Sequence, residues 1–375
     1  MSGIYIHVPF CATRCLYCDF YSTVSSHNKE AWLQAAIREL EQRRDYLGGD
    51  ELATIYLGGG TPSQLSASEL EQVFEAIYRL FAVDRDAEIT LEANPDDMTS
   101  AYIASLRSLP INRISMGIQS FSDADLRVLG RRHNSRRARQ AIAECRRNGY
   151  DNISIDLIYA IPGQSLQRWE ANLEEALSLR IPHISAYHLT YEDGSPLQAM
   201  LEAGQLQSAS EDDSAAMFDL LLDRLSDYEH YEISNFALPG RLSRHNSSYW
   251  EEKKYLGIGP SAHSYDINTR AWNISSLSEY IAGINQGQSV LETETPHYYN
   301  EYIMTALRTS RGIEISRIAA RFGEETASFI LQQSAKFITA GMLETKADRL
   351  VLTRKGMFVS DAVIRAFFIE DFSTK

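Results

Sequence analysis

Three of the chain's four cysteines sit in one short stretch, HVPFCATRCLYCDFYS, at residues 7–22. Cys11, Cys15 and Cys18 are spaced C-x3-C-x2-C. Three thiolates can cap three irons of a cubane cluster and leave the fourth iron without a protein ligand, open to a small molecule. A single zinc ion would want a fourth donor, which His7 or His27 could supply. The aromatic Tyr17 directly before the last cysteine, and Asp19-Phe20 after it, favour the cluster. The cysteines are too close together to pair with distant partners, and too few to form a disulfide scaffold, so a reducing compartment is expected.

The elements that must position this loop are legible around it. Short runs rich in Ile, Val, Leu and Tyr recur at Ile4–Val8, Thr54–Leu57, Glu88–Glu92, Arg113–Gly117, Asn152–Ile158 and His183–His188, as in buried parallel strands. Between them lie amphipathic helical patterns, such as Leu33, Ala36, Ile37 and Leu40, or Leu166, Trp169, Leu173 and Leu177. Six such units predict an α/β fold with a right-handed, barrel-like parallel sheet. Polar or glycine-rich signals fall at the strand ends, where such folds do chemistry. They are Cys11, GGGTPS (58–63), Glu92, GIQSF (117–121) and Asp156. Past residue 190 the alternation weakens; a helix over Asp212–Leu225 and a strand over 231–237 are expected. From about 296, three helical segments, a hairpin at 344–353 and a last helix suggest a winged-helix-like domain. The expected division is 1–195, 196–290 and 291–375.

C-x3-C-x-aromatic-C after a first strand resembles the signature of the radical S-adenosylmethionine (SAM) superfamily. The resemblance implies a partial (β/α)6 barrel, a [4Fe-4S] cluster on Cys11, Cys15 and Cys18, and SAM on the open iron, cleaved reductively to a 5′-deoxyadenosyl radical. It also implies that Gly59, Gly60 and Thr61 approach the methionine amino group, that Arg131 partners the cofactor carboxylate, and that Tyr5, Tyr17, Glu92, Gln119 and Asp156 complete the contacts. Read alone, each is equally an ordinary turn glycine, packed tyrosine, or satisfied polar group.

The strings YIHVPFC, GGGTPS, LEANP, RISMGIQSF, LGRRH and IDLIYAIPGQ, in this order, resemble the oxygen-independent coproporphyrinogen oxidases and their relatives. The oxidases carry a fourth cysteine where this chain has Phe20, and a leader for which a strand starting at residue 4 leaves no room. The other branch, heme chaperones, keeps C-D-F and adds H-N-x-x-Y-W, here His245, Asn246, Tyr249 and Trp250. That branch implies heme binding, with His245 as an axial ligand and Tyr249 and Trp250 against the porphyrin. Arg241 and Arg244 are candidates for the propionates. From the residues alone, a histidine capping a loop beside two packing aromatics reads as well.

The resemblance therefore implies a carrier that hands heme to an apo-hemoprotein such as a membrane respiratory cytochrome, with a homodimer as a further expectation. The alternative is a radical decarboxylase acting on coproporphyrinogen III or a related tetrapyrrole. The formal net charge of −14 and a single basic residue in ETASFILQQSAK (325–336) argue against nucleic acid as a partner. MSGIYIHVPF lacks the pattern of a signal peptide, and no run reaches membrane-span length. A cytoplasmic protein, able to dock at the inner face of the membrane, is expected.

Overall fold

A computed structural model describes residues 2–369. Six parallel strands run in chain order: β1 (Ser2–Val8), β2 (Leu52–Gly59), β3 (Val83–Ala93), β4 (Arg113–Gln119), β5 (Ile153–Tyr159) and β6 (His183–His188). Each expected run is found, most of them a few residues longer than the apolar pattern suggested. Two expectations change. The strand expected over 231–237 is a hairpin, β7 (Glu229–Glu232) and β8 (Asn235–Ala237), because the chain reverses at Ile233-Ser234. The six expected parallel strands become seven, because Tyr255–Ile258 forms β9, paired with β1. The antiparallel β10 (His263–Tyr265), β11 (Arg270–Asn273) and β12 (Leu291–Glu294) continue from it, giving one twelve-stranded sheet.

The strands have two different faces. Ile55, Leu57, Leu91, Ile114, Met116, Ile155 and Ile184 are fully buried and pack with Leu33, Leu40, Leu70, Ile77 and Trp169 of the covering helices in one core. Burying each such side chain contributes roughly 2 kcal/mol. Alternate positions carry Tyr56, Glu92, Ser115, Gly117, Ser154, Asp156, Ser185 and Tyr187, and these line a single cavity. Five adjacent strands can share one cavity only if the sheet curls around it, as a partial barrel does.

The C-terminal part has a core of its own, built on Tyr302, Ile303, Ile318, Ile330, Leu350 and Phe367. Helix Tyr298–Leu307, strand β13 (Ile313–Glu314) and helices Ile315–Phe322 and Glu324–Thr339 are followed by β14 (Leu343–Lys346) and β15 (Arg349–Leu352), which form a three-stranded antiparallel sheet with β13, a winged-helix-like arrangement. Its helices are tied to the sheet domain by Arg317 and Arg321 on Glu252, each at 2.7–2.8 Å. Among the described residues, no helix is long and apolar enough to cross a membrane.

Candidate functional site

The cysteine loop leaves β1 and is closed at its neck by backbone bonds. The Cys11 amide donates to the Thr23 carbonyl (2.9 Å) and the Thr23 amide to the Pro9 carbonyl (2.7 Å). Further along, the Leu16 amide donates to the Leu129 carbonyl at 3.2 Å, and the Leu197 amide to the Leu16 carbonyl at 2.9 Å. The loop is thus pinned across the carboxyl ends of the strands. All three thiols are half-buried, free of disulfides, and line the mouth of the cavity, whose volume is about 570 Å³.

Burial raises the Cys11 thiol above its ordinary pKa and pushes Cys18 up to about 11. A metal that binds here must therefore displace protons. Among the described residues, no three Cys, His, Asp or Glu are gathered tightly enough to grip one ion. A cubane needs no such grip, because each thiolate takes its own iron. His7 is a poor fourth ligand for zinc. It is buried, its Nε2 is 2.9 Å from the Tyr21 carbonyl, and its Nδ1 is 3.2 Å from the Tyr5 hydroxyl. The donor set fits a cluster with an open iron.

Behind the thiols, the end of β2 supplies the glycine run. Gly59 has φ +104°, and a Cβ there would meet the His7 ring at 2.7 Å, so only glycine serves. Thr61 donates to the Cys11 sulfur at 3.3 Å. Arg131 follows the short helix Asp123–Val128 and turns inward, donating to the Cys15 sulfur (3.2 Å) and the Gly117 carbonyl (2.6 Å). Its Nε is buried without a partner. A guanidinium edge left open beside the thiols suits a carboxylate, as the amino-acid end of SAM provides.

Of the residues singled out from the sequence, Tyr17, Gly59, Gly60, Thr61, Glu92, Gln119, Arg131, Asp156 and Asn246 line the cavity with the cysteines. Tyr5 lies beneath it, stacked on Tyr56 at 6.1 Å between ring centroids. His245, Tyr249 and Trp250 do not line it. They belong to a helix, Arg244–Trp250, that closes the opposite end of the barrel. Its first amides, of Arg244 and His245, donate to the Glu88 carboxylate at 3.0 Å. His245 is 1% exposed, with Nδ1 2.8 Å from Thr54 Oγ1 and Nε2 2.9 Å from the Tyr249 hydroxyl. Its ring stacks on Tyr56 at 4.9 Å, and burial lowers its pKa to about 3. Gly3 makes room for it, because a Cβ there would meet Thr54 Oγ1 at 2.6 Å.

Sequence reasoning passed over Arg113, Tyr56, Ser115, Ser154 and Ser185, all on the cavity wall. Their signal was period-two alternation within runs read as uniformly apolar.

Glu92 accepts from the Tyr56 hydroxyl at 2.7 Å. Burial, with Asp156 nearby, pushes its pKa up to about 7, and burial pushes Asp156 up to about 6. The folded chain thus keeps these protons to higher pH than the unfolded chain does. The stability they confer is complete in acid and lost as pH rises through the folded values. The buried His7 and His245, held down to about 4 and 3, act in the opposite sense. Stability from them grows with pH while the unfolded histidine titrates, around 6.5, and other buried groups such as His133 and Glu232, shifted to about 3 and about 7, add to the two opposing trends. All of these are common to wild type and a Glu92→Gln variant. The ligand-free variant lacks one falling contribution, so its thermal stability should fall less, or rise more, than that of wild type between about pH 5 and 8. Melting curves with the same slope in both proteins would refute the assignment.

Comparison with known proteins agrees with this geometry. Residues 5–176 match the family model of the radical SAM superfamily, and residues 295–359 that of the HemN C-terminal domain. The chain is 32% identical over 375 residues to "Heme chaperone HemW" of Lactococcus lactis, covering 99% of this chain and 98% of that one. The chain belongs to the radical SAM heme chaperone HemW family. It is 31% identical over 378 residues to the Bacillus subtilis protein of the same name, covering 99% of this chain and all of that one. The solved structure of coproporphyrinogen III oxidase (HemN) from Escherichia coli superposes with a TM-score of 0.84 at 21% identity, over 98% of this chain and 89% of that one. That likeness shows the fold that this family shares with the oxidase.

Proposed function

We propose that this protein binds heme and hands it to an apo-hemoprotein, with a [4Fe-4S] cluster on Cys11, Cys15 and Cys18 and SAM in the adjoining cavity. A membrane respiratory cytochrome is an acceptor of the right kind, reached from the cytoplasm, and a homodimer is a fitting assembly. The observation that carries the reading is 31–33% identity over nearly the whole chain to proteins named as heme chaperones, beside a cavity lined by the three cysteines, Arg131, Glu92 and Asp156. The cluster and SAM, when bound, would supply one-electron chemistry or a ligand-responsive switch. The protein's own residues do the rest. Arg131 holds the cofactor carboxylate, the strand end at Gly59–Thr61 lets its amino group approach, and Glu92 and Asp156 offer acceptors from the barrel wall. Tyr17 covers the site from the loop.

Heme contact by His245 would require one of its two ring hydrogen bonds to open. Asn246 is the member of that string that already reaches the cavity. The decarboxylase reading keeps one point in its favour, namely that all but Tyr5 of the residues expected to contact the cofactor line the cavity with the cysteines. Phe20, 62% exposed at the cavity mouth, stands against it, since the oxidases have a thiol there. The deciding experiment is anaerobic. Protein with reduced cluster and SAM is offered coproporphyrinogen III, and separately heme followed by an apo-cytochrome. The expected result is no carbon dioxide release in the first arm and heme-dependent reconstitution of the cytochrome in the second. Stoichiometric decarboxylation would replace the proposal with its alternative.

A further inference from the structure

Arg113 opens β4 on its inner face and is 1% exposed. It lines the cavity, yet among the described residues its side chain makes no hydrogen bond and no ion pair, and its Nε is buried without a partner. Burying an unpaired guanidinium is costly, and proteins normally pair such a group or leave it in water. The two carboxyls of the same cavity, Glu92 and Asp156, are near enough to feel its charge, but neither bonds to it. Glu92 is held by Tyr56, and Asp156 lies three residues along β5 from Ile153, whose register partner is Ile114.

The surroundings are built of neutral hydrogen-bonding groups. Ser115 and its register partner Ser154, whose hydroxyl also lies 2.7 Å from His183 Nδ1, face the same cavity, and Asn246 enters from the closing helix. Thr90, the register partner of Arg113 on β3, is fully buried and its hydroxyl also lacks a partner. Two paired strands thus each present an unsatisfied polar atom at the same level.

Arg131 does not share this place. It bonds to the Gly117 carbonyl, four residues further along β4, which is about 13 Å at the rise of a strand. The cavity therefore has a cation beside the thiols and a second cation near its floor.

We propose that the floor is a carboxylate-binding subsite, in which Arg113, helped by Ser115, Ser154 and Asn246, receives a carboxylate of the molecule that shares the cavity with the cofactor. Resting on the heme-chaperone reading, that carboxylate is a propionate side chain of the tetrapyrrole. The planar fork of the guanidinium matches a carboxylate in two-point contact, which a lysine cannot reproduce.

The test compares heme with heme dimethyl ester, which lacks the two anionic groups, by Soret titration of the wild-type protein, Arg113→Met and Arg113→Lys. Wild type should prefer heme at least tenfold. Arg113→Met should bind both within twofold, and Arg113→Lys should fall between. A second readout needs no heme. Sodium propionate, against sodium chloride at equal ionic strength, should raise the melting temperature of wild type and not of Arg113→Met. Arg113→Met that retains the full preference for heme overturns the subsite, as does wild type that binds heme and its ester alike. Should Arg113→Met fail to fold, Arg113→Lys decides, and an undiminished preference overturns the proposal. Should wild type bind no heme, the chaperone reading fails by itself, and absence of propionate stabilisation in wild type then sinks the subsite separately.

Discussion

Cys15→Ala should leave the protein without its iron. After anaerobic reconstitution, wild type is expected to hold about four irons and four sulfides per chain, and the variant less than about one. Ligand number decides the outcome. Three thiolates already leave one iron without a protein ligand, and a cubane held at only two corners has two irons open to solvent and exchange. His7 cannot replace the lost thiolate, being committed to Tyr5 and Tyr21, and neither can the remaining cysteine, Cys145, which is fully buried in the helix Ser135–Arg147. The fold should survive. The loop's neck is fastened by the Cys11 and Thr23 amides, and the Cys15 side chain contributes to no hydrophobic core. Far-ultraviolet circular dichroism should be unchanged, and Cys145→Ala should reconstitute fully. Iron and sulfide analysis checks both. A fully loaded Cys15→Ala protein would mean that the thiol is not a ligand, and the assignment of the other two would fall with it.

What the sequence disclosed and what it hid follow from the range of the interactions involved. The six inner strands were legible because each buries a dense apolar face, and the glycine run because Gly59 needs a backbone conformation that other residues resist. The polar inner face was written in the same runs. Arg113, Ser115 and Gly117 alternate with Ile114 and Met116, and Ser154 and Asp156 alternate with Ile153 and Ile155. Reading such a run as buried on both faces loses the cavity wall. The strands β9 to β12 are three or four residues long, too short for periodicity to show, and β9 finds β1 some 250 residues away in sequence. His245 shows the limit best. A histidine followed by two aromatics is the same string whether its ring meets a ligand or a core. Only the path of the chain under β1 and β2 decides which.

That placement gives His245→Ala a large and specific expected effect on stability. Removing the ring leaves the Thr54 hydroxyl and the Tyr249 hydroxyl without their partner, and each such buried group costs roughly 1–3 kcal/mol. It also opens a void beneath Tyr56, against which the ring stacks. Together these predict a loss on the order of 3–5 kcal/mol, at the upper end of what single substitutions do. Asn246→Ala is the matched control, because Asn246 is only half-buried and its side chain makes no hydrogen bond among the described residues. It should change stability by no more than about 0.5 kcal/mol. Urea or thermal denaturation of the ligand-free variants tests this, and a His245→Ala protein as stable as wild type would show that the helix does not close the barrel as described. His245→Ala also separates the two roles open to the histidine. At a temperature where this variant remains folded, heme affinity that survives makes the residue a part of the scaffold. Affinity lost beyond its unfolded fraction means that the helix lifts to let the imidazole meet iron, and then the Thr54 and Tyr249 bonds are what heme must displace.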